Sequence, residues 1–428
     1  MFFNCHNHTM YSNLRLLDCI IKPKDLIDKA IELGLSGIAI TDHEALSAHM
    51  EVNMYAKKIR EKHPNFTIAL GNEIYLTDTR DKGQPYYHFI LIAKDEIGHK
   101  GLRELSSKAW YNSYFDRGME RVPTLKSELA EVMSRYKGHI MGTTACMGGE
   151  LSKLIVAHTV ETELGNFTEA EVIFKKIVDF INFGVNTFGI DDFYIECAPS
   201  NMKDQIMVNQ KLIEIARHRG LNMIPATDSH YLTKETRFAH KAYLNSKGGD
   251  REVDSFYEFA RLMDEQEVRE LLALSFEENA VDIIMNMAEE MRQKIQWYSL
   301  ERPQQIPVVE IPKRKFLGWS IDSYYFPTLD YINQHGNEQE QYYNHGPSES
   351  RCQTESGRWS RSLPWGQEWK GCPGSSRKYS RGRQWLPGTD HTQTDPGLQS
   401  GSRPERKLFH STWCFLLGYT SYKGALGL

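Results

Sequence analysis

The fold class predicted for this 428-residue chain is α/β, a barrel of parallel strands, and three observations predict it. Short apolar runs alternate with stretches of helical periodicity. Side chains of metal-binding type follow the ends of those runs. In His6-Asn7-His8 and Asp228-Ser229-His230 such side chains stand two apart, which on an extended strand puts both on one face.

The elements follow in order. Lys24 to Leu33 has helical periodicity and stops at Gly34, and Gly37-Ile38-Ala39-Ile40-Thr41 reads as a buried parallel strand that delivers Asp42 and His43. Leu46 to Lys62 is helical. Phe66 to Leu70 is a strand leading to Glu73, and Tyr87 to Ala93 is a strand carrying His88. Gly138 to Gly142 leads to Cys146, Phe193 to Cys197 is a further strand, and Asn222 to Ala226 delivers Asp228 and His230. Thr168 to Phe183 and Gln205 to Arg219 are the clearest of the intervening helices. In a parallel barrel the groups beyond the strand carboxyl ends converge on one rim, where such folds carry their active sites.

Nine side chains are gathered this way: His6, His8, Asp18, His43, Glu73, His88, Cys146, Asp228 and His230. One ion takes four to six ligands, so nine point to a multinuclear site. A lone His-x-His is commonly chance in a chain with 16 histidines, but two spaced pairs together with Thr41-Asp42-His43 are not. Glu73 has two oxygens to share and is the candidate bridge between ions. Asp42 reads equally as the partner of the second nitrogen of His43 or His230 and as a helix N-cap. His49, His63, His99, His139, His158, His218 and His240 match no pattern and are expected on the surface or satisfied in the core.

Quoted in sequence, these residues resemble a known family. Cys5-His6-Asn7-His8-Thr9, Tyr11-Ser12, Leu16-Leu17-Asp18 and Ile40-Thr41-Asp42-His43 resemble the polymerase and histidinol phosphatase (PHP) domain that begins the bacterial replicative DNA polymerase III alpha subunit. Gly71-Asn72-Glu73-Ile74-Tyr75, His88 with Leu91 to Asp95, Ala145-Cys146-Met147-Gly148-Gly149-Glu150 and Ala226 to Leu232 continue the resemblance in the same order. It covers residues 2 to 343, because Ile306 to Pro312 and Asn337 to Tyr343 resemble the entry to the polymerase palm. The resemblance implies a distorted (β/α)7 TIM-like barrel binding two or three divalent ions, Zn or Mn, with the ligand series on the nine positions above. It makes Cys146 a ligand, whereas Cys5, Cys19 and Cys197 read as small buried hydrophobes. The implied catalytic residues are Glu73, His43 and Asp42.

Residues 1–285 are expected to form the barrel, 286–343 a helix and linker at the start of the palm, and 344–428 a disordered tail. Composition marks the second boundary: 39 Lys and Arg stand against 50 Asp and Glu up to residue 343, and 12 against 6 beyond it. The last 85 residues hold no Ile, Val or Met but five of the eight Trp, too little apolar material for a core. Translation out of frame explains this better than a basic single-strand-binding tail. No Asp-x-Asp pair of the kind a palm needs follows Tyr343, so polymerisation by this chain is not expected. Seven cysteines without disulfide spacing, no leader and no long apolar run predict a cytoplasmic protein with no membrane contact.

Three functions compete: a phosphoesterase that trims single-stranded DNA 3′ ends or hydrolyses pyrophosphate within a replisome, an inert scaffold that supports the polymerase or docks a proofreading subunit, and a free-standing phosphatase. The acidic body repels DNA unless metals and a local basic strip offset it. Lys100, Arg103, Lys108, Arg117 and Arg121, interleaved with Trp110, Tyr111, Tyr114 and Phe115, are the candidate strip. A solvated amphipathic helix that packs its aromatics inward is the more ordinary reading of the same segment.

Overall fold

The computed structural model describes residues 2–116, 119–246 and 256–305, and four two-residue strands beyond them. The chain opens with β1 (Phe3–Asn4) and a 3-10 turn (Met10–Leu14). α1 (Pro23–Glu32) has proline at its first position, buries Leu26, Ile27 and Ala30 on one face, and is followed by Gly34 at φ 72, a left-handed turn that ends the helix cheaply only as glycine. β2 (Gly37–Ile40), α2 (His49–Lys62), β3 (Thr67–Thr77), β4 (Tyr87–Ala93) and α3 (Glu96–Tyr111) follow. A small hairpin, β5 (Tyr114–Asp116) and β6 (Met119–Arg121), leads to β7 (Thr124–Leu125) and α4 (Lys126–Arg135). The remainder is β8 (Ile140–Thr143), α5 (Glu150–Glu163), α6 (Phe167–Phe188), β9 (Phe193–Cys197), α7 (Lys203–Arg219), β10 (Asn222–Pro225), α8 (Arg237–Asn245), α9 (Glu265–Leu272) and α10 (Glu278–Gln293).

Seven strands form one sheet in the order β1-β2-β3-β4-β8-β9-β10, with β7 beside β3. Every residue of β2, β8 and β9 is buried, as expected of strands covered on both faces. The sheet curls into a nearly closed barrel, because its two edges meet just beyond β1 and β10. There Asn7 bridges Ser229 in parallel, the His8 N–H donates to the Ser229 carbonyl at 2.9 Å, and the Ser229 N–H donates to the His6 carbonyl at 3.3 Å.

One strand departs from the all-parallel expectation. β4 runs antiparallel to both neighbours, β3 and β8. Residues 78–86 leave room for a hairpin loop but not for the crossover helix that a parallel return needs. The reversal has a functional consequence. β4 enters the sheet at the rim where its neighbours leave, so His88 near its start lies level with Gly149, beyond the end of β8.

α10 packs against β10 and β1 and passes through residue 285, so the boundary expected there falls inside a helix and the first compact unit runs Met1–Gln305. In the second unit, Ile306–Leu428, the described residues form two antiparallel pairs, Lys315–Phe316 with Trp319–Ser320 and Cys352–Gln353 with Trp359–Ser360. The expected palm entry and tail otherwise lie outside the described residues. Among the described residues no helix is long and apolar enough to cross a membrane.

Candidate metal centre

The nine donors converge on the carboxyl-end rim. His6 and His8 follow β1, Asp18 follows the 3-10 turn, His43 follows β2, Cys146 follows β8, and Asp228 and His230 follow β10. Glu73 lies within β3 rather than beyond a shorter strand, level with His43, to which it is bridged. Three non-glycine residues adopt left-handed backbone, Glu44 at φ 49, Ala145 at φ 57 and Asp228 at φ 46. Each follows a strand end and adjoins or is a donor, and such strained positions persist where the surrounding structure fixes a functional geometry.

Glu73 is the hub. One oxygen lies 3.5 Å from His6 Nε2 and 2.7 Å from His88 Nδ1, and the other lies 3.4 Å from His8 Nε2 and beside His43 Nδ1. Asp228 Oδ1 sits 3.2 Å from His6 Nε2 and 3.1 Å from His8 Nε2, while Asp18 Oδ2 sits 3.2 Å from His43 Nε2 and 3.7 Å from His230 Nε2. Cys146 Sγ is 3.8 Å from His88 Nδ1. Three ligand groups result, each with donor atoms within 4.8 Å of one another: His8, His43 and His230; His6, His8 and Asp228; and Glu73, His88 and Cys146. Gly148 makes room for the last of these, since a Cβ there would stand 2.8 Å from the His88 ring.

Surrounding residues orient the imidazoles. His6 Nδ1 lies 2.7 Å from Glu196 Oε1, and the other Glu196 oxygen accepts from the Thr143 hydroxyl at 2.8 Å. With its Nδ1 proton donated to that carboxylate, His6 aims the Nε2 lone pair into the centre. His230 Nδ1 is held likewise by the Asp228 carbonyl at 2.8 Å. For His8 the holder is Ser12 at 3.0 Å, whose hydroxyl donates to Asp42 at 2.8 Å. The expected pairing of Asp42 with His43 or His230 is therefore corrected: its oxygens accept from the Thr9 N–H, the Thr9 hydroxyl and Ser12. Nor is it a cap of α2, which begins after Ala48. Asp42 instead fixes the turn that carries His8. Glu196 escaped sequence reasoning; its only signal is an acidic residue inside an otherwise apolar strand, Phe193 to Cys197.

The electrostatics ask for cations. Burial lowers the His6 pKa, but Asp228, Glu196 and Glu73 outweigh it and lift it to about 10. For His8, burial and the neighbouring His43 and His230 push the pKa down to about 3. Burial raises the Glu73 and Asp228 carboxyls, yet the surrounding histidines hold both well below the usual range. The Cys146 thiol is pushed up by burial and by Asp228, Glu73 and Glu196. Asp18 Oδ1, His43 Nδ1, both Glu73 oxygens and Asp228 Oδ1 are buried without a hydrogen-bond partner. Buried polar atoms are nearly always paired. A buried cluster of imidazole, carboxylate and thiol groups that face mainly one another fits divalent metal ions.

The four described basic residues of the five do not form one strip. Lys100 and Arg103 are exposed in the first turns of α3, which start where β4 ends beside the amino end of β8, opposite the centre. Lys108 pairs with Glu131 at 2.7 Å. Arg117 lies outside the described residues. Of the described four, Arg121 reaches the centre's surroundings, over the Tyr86 ring. The aromatics are not packed inward as a group, since Tyr111 and Phe115 are exposed.

Comparison with known proteins finds relatives of the N-terminal region. The family model of the PHP domain matches residues 4–200. The N-terminal region is a PHP domain. A probable DNA polymerase of Bacillus subtilis, YorL, is 36% identical over 352 residues, covering 79% of this chain and 27% of that protein, and a DNA-directed DNA polymerase of Bacillus phage SPbeta gives the same figures. DNA polymerase III subunit alpha of Borreliella burgdorferi is 33% identical over 261 residues, 59% of this chain and 20% of that subunit. The chain thus spans 27% or less of the length of these relatives. Among solved structures, an amidohydrolase from Chromobacterium violaceum aligns at 15% identity with a TM-score of 0.33, covering 54% of this chain and 88% of that one.

Proposed function

We propose that the PHP barrel is a phosphoesterase that uses two or three divalent ions, Zn or Mn, to hydrolyse the terminal phosphodiester of a single-stranded DNA 3′ end, in a replication setting shared with other replisome subunits. The observation that carries this reading is Glu73, whose two buried oxygens face His6 and His88 on one side and His8 and His43 on the other. When bound, such ions polarise the phosphate, lower the pKa of water and stabilise the charge of an in-line displacement. Glu73 would bridge them, and the nitrogens of His6, His8, His43, His88 and His230, the carboxylates of Asp18 and Asp228 and the Cys146 sulfur would hold them. Glu196 and Asp42 act as positioning residues, fixing His6 directly and His8 through Ser12.

The test is hydrolysis by the full chain, loaded with Mn or Zn, of an aryl phosphodiester and of a single-stranded DNA 3′ end. Glu73→Gln keeps the shape and removes the charge, and kcat should fall roughly 100-fold, about 3 kcal/mol, or more. A folded, metal-loaded protein inactive on both substrates favours the scaffold, and activity on pyrophosphate alone would change the substrate.

A further inference from the structure

Access to the centre is one-sided. The side chains of His6, His8, Glu73, His43, Asp18 and His230 are no more than 3% exposed, that of Asp228 is 11% exposed, and that of His88 is the most open of these at 25%. A substrate therefore meets the centre at His88, and two further features begin there.

The first is a ladder of rings. His88 stacks on Tyr75 with centroids 4.9 Å apart and planes 14° apart, and Tyr75 stacks on Tyr86 at 5.5 Å and 13°. The Arg121 guanidinium lies 5.4 Å from the Tyr86 centroid and donates to the Tyr86 hydroxyl. Arg121 forms no ion pair among the described residues, and its buried Nε has no hydrogen-bond partner. A partly buried guanidinium normally faces a carboxylate. Here a ring face and a phenol position it without neutralising it.

The second feature is a neighbouring polar wall. The Arg15 Nε donates to Glu44 Oε2 at 2.7 Å, the Trp110 indole N–H donates to the Glu44 carbonyl at 2.7 Å, and the Arg15 guanidinium lies 5.7 Å from the Trp110 ring. Tyr75 Oη and Glu44 Oε1, in residues 4% and 3% exposed, have no hydrogen-bond partner. The wall thus holds unused hydrogen-bonding capacity, and the ring ladder ends in a cation without an ion pair among the described residues, Arg121.

We propose that Tyr86 and Arg121, held in place by the Tyr75 ring, form a subsite for a second phosphate of a single-stranded DNA chain whose terminal phosphodiester lies at the metal centre, which makes Arg121 a specificity-determining residue for strand ends over small phosphate esters. The proposal rests on the phosphoesterase reading. A guanidinium fork matches a phosphate in a bidentate way. A strand end carries further phosphates beyond the one at the centre, whereas a small monophosphate ester carries none.

The test compares wild type, Arg121→Gln and Arg121→Lys in the full chain with Mn. Arg121→Gln should lower the ratio of kcat/KM for an oligodeoxythymidylate to that for bis(4-nitrophenyl) phosphate, which has one phosphate, at least tenfold and mainly through KM. Arg121→Lys, with charge but no fork, should fall between. Equal losses on both substrates would overturn the subsite. Binding of a fluorescein-labelled oligodeoxythymidylate, read by anisotropy, serves where no hydrolysis occurs, an outcome that counts against the phosphoesterase reading alone. Arg121→Gln should then weaken binding at least tenfold and reduce the salt slope by about one. Unchanged binding by a variant that melts like wild type would likewise overturn it.

Discussion

The centre depends on residues that touch no ion as much as on those that would. Glu196 accepts from His6 Nδ1, and replacing it with Gln leaves a group that can present a donor to the same nitrogen, so the imidazole turns or changes tautomer. Glu196→Gln should weaken metal affinity on the order of 10 to 100-fold, and Asp42→Asn should do so to a similar degree through Ser12 and His8. Competition against a coloured chelator reads both, and unchanged affinity in either would show that the hydrogen bond does not orient the ligand. The convergence of the nine side chains was legible because His6 with His8 and Asp228 with His230 stand two apart after apolar runs and most of the others sit at or near strand ends. Glu196 was not, because one acidic residue in a five-residue strand has no periodicity to announce it, and only the fold brings it within 2.7 Å of a residue 190 positions away. Asp42 was visible but misassigned, since sequence cannot say toward which neighbours a carboxylate turns.

Elements carry the donors to one rim, and their junctions have a chemistry of their own. α2 and α3 meet through His49 Nδ1 and His99 Nε2 at 3.0 Å, and His49 Nε2 donates to the Gly71 carbonyl of β3 at 2.9 Å. That arrangement requires His49 neutral, and burial beside Arg103 and Arg302 disfavours a charge on His99. Burial and the His99 charge push His49 down to about 3, and burial with Arg103 and Arg302 pushes His99 down to about 4. A histidine whose folded pKa is depressed contributes full stability above its unfolded value near 6.5 and loses it as pH falls toward the folded value, because the unfolded chain binds the extra proton. Between pH 7 and pH 5 wild type should lose about 2 kcal/mol more than His99→Gln, which keeps a donor for His49 but does not titrate. Denaturant melts at the two pH values measure this, and equal losses would contradict neutral packing. At this scale the strands Tyr87–Ala93 and Phe193–Cys197 were read to the residue. The reversal of β4 was not, although the short, turn-rich segment 78–86 carried the signal. The β5–β6 hairpin was missed because a helical reading of the basic and aromatic residues ran through it.

At the scale of the whole molecule, we propose that residues 344–428 lie outside the family's reading frame. The 79% of the chain that aligns with the Bacillus subtilis relative is close to the fraction ending at Tyr343. Resequencing the coding DNA tests this directly. Removing 344–428 should leave the melting temperature of the barrel within a degree or two of the full chain, and a large loss would give the tail a structural role. Metal should act on the whole barrel, since a ligand that binds only the folded state at 100 times its Kd adds about 2.7 kcal/mol. Chelation should therefore lower the melting temperature of wild type, while His6→Ala or Asp228→Ala should remove most of the difference between chelated and loaded protein. The most direct test of the central claim is the metal content of the full chain by elemental analysis after loading with Zn or Mn and exhaustive dialysis. About two to three ions per chain is the predicted result for nine convergent donors. Less than one ion per chain with either metal would contradict it.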